Sequence, residues 1–207
     1  MIKISQPSMA LNSPDSVGRV AMWSTRDVDP STPADVMMRM VRQVAMGTRE
    51  GRLHCLIVHC HGLYKGVDSN GHFRGGFDDD FTGGYGLLIG KGLNRGNVGV
   101  WSLLKKADGS PLVGNIMIIA CGAARQSPMD SHGDGDGKAF CGDIAKQSGS
   151  IVTAAKTKQF HPLGQSTPYY LPEWTGVVQQ FEPTRGAVIW EHDYGIGWVY
   201  RAHSGIN

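Results

Sequence analysis

Three short apolar runs set the terms for this chain: HCLIVHC (residues 54–60), NIMIIAC (115–121) and SIVTAA (150–155). Each is rich in branched side chains and too short for a buried helix. A strand that reads as nearly continuous rather than alternating apolar is one buried on both faces, as in a parallel sheet covered by helices. The segments between the runs carry helix punctuation. In residues 29–51 the sequence predicts Thr32 as N-cap, Pro33 at N1 and Asp35 at N3. Val36, Met37, Met40, Val41 and Val44 then form one apolar stripe, and Gly47 or Gly51 ends the helix. Residues 94–109 predict a second helix with Val98, Trp101, Leu104 and Lys105 on one side, and residues 138–149 a third with Phe140, Cys141 and Ile144 inward and Gly149 as C-cap.

The remaining segments complete the expectation. RVAMWST (19–25) and YGLLIG (85–90) read as strands, and residues 1–18 as a polar arm. Residues 63–84 read as a loop with DSNGHF as a hairpin turn, and 125–137 as a long Gly/Asp loop. Residues 186–202 read as a terminal antiparallel hairpin. Strands alternating with helices predict a single α/β domain over residues 1–207 with a mainly parallel sheet.

Composition narrows the function classes. The 207 residues are 41% hydrophobic and 18% charged with net charge +2, and the longest run of like charge is Asp78, Asp79 and Asp80. No basic face for nucleic acid is expected. Four cysteines without CxxC spacing point to reduced, buried thiols rather than a zinc ribbon or a disulfide scaffold. No leader pattern and no run of about 18 apolar residues is present, so the expectation is no membrane span. A cytoplasmic protein is expected, and an effector exported without a leader would read the same.

In an open α/β sheet, ligands bind outside the carboxyl ends of the strands. His61-Gly62 leaves the first run there, Cys121 leaves the second, and Ala154-Ala155 the third. A thiol and an imidazole on one rim are the minimum for a cysteine hydrolase. LIVHCHG and, later, IMIIACGA are an apolar strand ending in His-Gly and one ending in Ala-Cys. This pattern resembles the caspase-like (clan CD) cysteine peptidases, which include caspases, metacaspases, gingipains, clostripain, legumain and the self-cleaving domains of bacterial toxins. The likeness covers residues 53–156, about half the chain.

The resemblance implies a caspase-like three-layer sandwich and a peptidase acting on protein or peptide substrates without cofactor or metal. It implies His61 as general acid/base and Cys121 as nucleophile, with the N–H groups of Gly62 and Cys121 as oxyanion hole. Asp130, Asp134 and Asp136, with Ala154 and Ala155 at the strand exit, are the candidate substrate pocket. Ile119 stands where caspases carry glutamine, which removes the basis for caspase-type Asp specificity. The loop SPMDSHGDGDGK lies where caspases are cut to mature, so self-processing belongs to the same expectation.

Plainer readings stand beside these. His61 and Cys121 are also consistent with a core histidine and a buried thiol. His59 and His61 share a strand face and can share a metal, but the close Asp-His continuation of metallo-hydrolases is missing. DSHGDGDG resembles a calcium loop, but His132 and Cys141 stand at ligand positions. Two other function classes stand beside the peptidase: a deamidase or acyl-transfer toxin using the same Cys/His pair, and a non-catalytic caspase-like module binding a partner through the tail hairpin.

Overall fold

The apolar runs lie side by side. The computed structural model describes residues 1–16, 18–63, 84–126, 135–159, 167–171 and 173–195. In chain order its strands are β1 (Ile2–Lys3), β2 (Ser8–Asn12), β3 (Ser24–Asp27), β4 (Leu53–His59), β5 (His61–Leu63), β6 (Gly86–Leu88), β7 (Val113–Ile119), β8 (Ile151–Ala155), β9 (Tyr170–Leu171), β10 (Val177–Phe181) and β11 (Val188–Asp193). Its helices are α1 (Ala34–Met46) and α2 (Gly137–Ser148), with a 3₁₀ helix over Arg95–Leu104. Seven strands form the central sheet in the order β11-β10-β8-β7-β4-β2-β3. β3, β2, β4, β7 and β8 run parallel to one another, β10 pairs antiparallel with β8, and β11 pairs antiparallel with β10. The molecule is therefore an α/β protein with a mostly parallel sheet.

Period-two alternation sorts the strand residues between two cores. Met9, Leu11, Leu56, Val58, Ile116, Ile118, Val152 and Ala154 pack with Met37, Met38, Val41, Trp101, Leu104, Phe140 and Ile144 of the helices. Ala10, Cys55, Ile57, Met117, Ile119, Ala155 and Val178 pack on the other face with Ile4, Val20, Met22, Leu171 and Trp174. Each fully buried large side chain contributes roughly 1.5–3 kcal/mol. Both α-helices and the 3₁₀ helix join the first core, and among the described residues none joins the second. Among the described residues, loop residues and the small β1–β9 ribbon cover the second face.

Other corrections follow from burial. Residues 1–18 are not a polar arm, because they hold β1 and the wholly buried β2, an interior strand between β3 and β4. The expected strand at 19–25 begins only at Ser24; Val20 and Met22 instead face the second core. α1 starts at Ala34, and Pro33, not Thr32, stands at the N-cap without a side-chain cap. Its buried stripe is Met37, Met38, Val41 and Ala45, and Val36 is exposed. The second expected helix is 3₁₀, with Trp101 and Leu104 buried one 3₁₀ turn apart. α2 follows its pattern: Phe140, Cys141 and Ile144 are buried and Gly149 closes it in the left-handed region at φ 71. Of the expected hairpin over 186–202, β11 pairs antiparallel with the preceding β10, and residues 196–202 lie outside the described residues. The DSNGHF turn, Asp78, Asp79 and Asp80, Asp130, His132, Asp134, Trp198 and Tyr200 lie outside the described residues.

Candidate active site

The register of β4 on β7 places the main-chain turns that carry the two candidates side by side. His59 pairs with Ile119, and the Cys60 N–H donates to the Ile119 carbonyl at 3.1 Å. His61 and Cys121 each stand two residues beyond that pair, at the carboxyl edge of neighbouring parallel strands. Chain winding reverses at β2/β4, because β3 lies on one side of β2 and β4, β7 and β8 on the other. This is where ligands enter open α/β sheets.

Gly62 makes the contact that joins the two turns. A Cβ at this position would overlap the Cys121 carbonyl oxygen, and it would stand 3.1 Å from the Cys121 carbonyl carbon and 3.7 Å from its Cα. Only glycine lets these main chains approach so closely. β4 then continues into β5, which pairs with β6.

The His61 ring is tied to the end of β2. Its Nε2–H donates to the Asp15 carbonyl at 2.9 Å. A carbonyl only accepts, so Nε2 carries the proton and Nδ1 is the basic nitrogen of the neutral ring. The loop supplying that carbonyl is pinned by β4: the Ser13 N–H donates to the His59 carbonyl at 2.9 Å, and Ser16 Oγ lies 3.3 Å from His59 Nδ1.

Cys121 is partly exposed, while Cys55, Cys60 and Cys141 are buried, and all four are free thiols. Burial raises the Cys121 thiol above its ordinary value; a backbone hydrogen bond with Gln159 and the charge of Lys158 oppose the rise. Its Sγ–H donates to the Gln159 carbonyl at 3.7 Å. Burial pushes Cys55 up to about 12 and pushes Cys60 and Cys141 higher still. Cys60 also senses the charge of Cys121, consistent with neighbouring turns.

The exit of β8 completes the rim. The Gly122 N–H donates to the Thr157 carbonyl at 3.0 Å, and the Ala124 N–H to the Ala155 carbonyl at 2.9 Å. The buried Gln159 side chain donates to the Thr175 carbonyl at 2.8 Å and accepts from the Thr175 N–H at 3.2 Å. The segment beside the thiol is thus fixed from both sides.

Of the expected pocket residues, Asp130 and Asp134 lie outside the described residues, and the other three form no surface on this rim. Ala154 and Ala155 are fully buried, one in each core. Asp136 is the N-cap of α2, where its carboxylate accepts the Ala139 N–H at 2.9 Å. A groove of about 650 Å³ beside edge strand β3, lined by Trp23, Arg26, Met40 and Val44, includes none of the candidate residues. Among the described residues no cluster of three or more His, Cys, Asp or Glu side chains can hold a metal ion. Among them, too, no helix is long and apolar enough to cross a membrane.

Sequence reasoning missed Asn12, Asp15, Ser16, Lys158 and Gln159. The one available signal was Asn12, a polar residue closing the run SMALN. No family model and no curated protein matches the chain.

Proposed function

We propose that the protein is a cysteine peptidase of the caspase-like kind, with Cys121 as nucleophile and His61 as general acid/base. One observation carries this reading: the thiol and imidazole turns leave adjacent parallel strands at the same end, with Gly62 lying against the Cys121 main chain. The mostly parallel seven-stranded sheet is compatible with a caspase-like sandwich. Burial favours the neutral Cys121 thiol, so its proton leaves as the sulfur attacks. His61 takes that proton on Nδ1, because the Asp15 carbonyl holds the other on Nε2. The substrate carbonyl oxygen becomes an oxyanion that the N–H groups of Gly62 and Cys121 receive. The imidazolium then protonates the leaving amine, a thioester forms, and water hydrolyses it with His61 as base.

The test is a peptide library incubated with the wild-type protein and with Cys121→Ala and His61→Ala. New chain termini with the wild type alone support the proposal. Equal cleavage by Cys121→Ala overturns it. Conversion of glutamine to glutamate without new termini would assign a deamidase instead.

A further inference from the structure

The geometry points to His59 as a positioning residue that holds the reactive imidazole indirectly, through the β2–β3 loop. The inference rests on the reading of His61 as the base. His61 has its Nε2 proton fixed by a main-chain carbonyl, that of Asp15. No substitution deletes a carbonyl, so its placement depends on whatever holds residues 13–16.

Those holders are β2 and β4 side chains. His59 is 3% exposed, and its Nδ1 lies 3.2 Å from Asn12 Oδ1 and 3.3 Å from Ser16 Oγ. Hydrogen positions follow from counting donors. Asn12 Nδ2 donates to the Val20 carbonyl and Asn12 Oδ1 accepts the Val20 N–H, each at 3.0 Å, which fixes the amide orientation. The Ser16 hydroxyl proton goes to the Ser13 carbonyl at 2.6 Å. Both groups facing His59 Nδ1 therefore accept, and Nδ1 is the donor. The Ser13 N–H donates to the His59 carbonyl. Residues 13 and 16 are thus both tied to His59, and Asp15, adjacent to Ser16, presents its carbonyl to His61. Two histidines two residues apart act together without their rings having to touch: one fixes a loop, and the loop fixes the other.

The experiment uses the full chain. Two-bond proton–nitrogen spectra report the His61 tautomer, and steady-state kinetics on a cleaved peptide report its use. The wild type should show His61 protonated on Nε2. His59→Phe keeps the volume and removes the donor; it should give a mixed His61 tautomer and a fall in kcat on the order of 100-fold, as for a misplaced catalytic group. KM should change by less than about twofold, since ground-state binding is untouched. His59→Asn, whose amide N–H stands where Nδ1–H stands, should restore the tautomer. Should His59→Phe not fold, Ser16→Ala probes the same link and should shift the tautomer in the same direction. An unchanged His61 tautomer in a folded variant of either kind overturns the inference. A tautomer that responds in a protein that cleaves no peptide leaves the link standing and removes the peptidase reading, so the two failures are distinct.

Discussion

Gly62 and Cys121 occupy space that admits no extra carbon. Gly62→Ala is expected to cost roughly 1–3 kcal/mol, the range for overpacking, because the obstacle is main chain and cannot rotate away. Urea unfolding measures it. The thiol itself carries a second prediction. Iodoacetamide should label Cys121 ahead of Cys55, Cys60 and Cys141, since it alone among them is partly exposed. Burial raises the Cys121 thiol, so the labelling rate should keep climbing as pH rises past the ordinary thiol value of about 8.5. A labelling rate already level at neutral pH would contradict that environment. At this scale, the placement of His61, Gly62 and Cys121 at strand exits was legible because each follows an apolar run in the sequence. Asp15 was not: its contact with His61 spans 46 residues and uses a carbonyl, a group every residue has.

β2 decides the element scale. Its five residues are all buried, and it pairs with β3 on one side and β4 on the other. Deleting residues 1–12 should therefore abolish cooperative unfolding, as followed by circular dichroism, instead of trimming a dispensable arm. A deletion that unfolds like the full chain would refute the interior placement of β2. The strand was hard to read because SMALN is short and ends in polar residues, and Asn12 closes it by bonding Val20. α2 was easier, since its cap and closing glycine are local signals. Asp136→Ala should cost about 1 kcal/mol, the usual value for a lost N-cap, and thermal melting checks it. The 3₁₀ helix was only half legible: the spacing of Trp101 and Leu104 fits either helix type, and Gly96 and Gly99 weaken the α alternative.

Across the whole molecule, the apolar runs predicted a mostly parallel sheet correctly, because burial on both faces leaves a local mark in the sequence. They did not say what covers each face, since loop residues such as Met22 and Trp174 can serve as well as a helix. The thiols in these cores make stability depend on pH. Folding raises the Cys55 value to about 12, so its contribution is complete below the unfolded thiol value and is lost as pH rises toward the folded one. From an unfolded value of about 8.5, each such thiol should cost about 2 kcal/mol of stability by roughly pH 10. Comparing urea midpoints of the wild type and Cys55→Ala near pH 8 and near pH 10 tests this; parallel losses would exclude Cys55 as the cause. The interior place of β2 has a last consequence. β4 and β7 supply the two strand exits from which His61 and Cys121 leave, but the carbonyl that the His61 ring bonds arrives only with the strand between β3 and β4. The contact that orients the His61 ring is therefore present only where β2 has docked, so the rim at the end of β4 takes its shape from the very start of the chain.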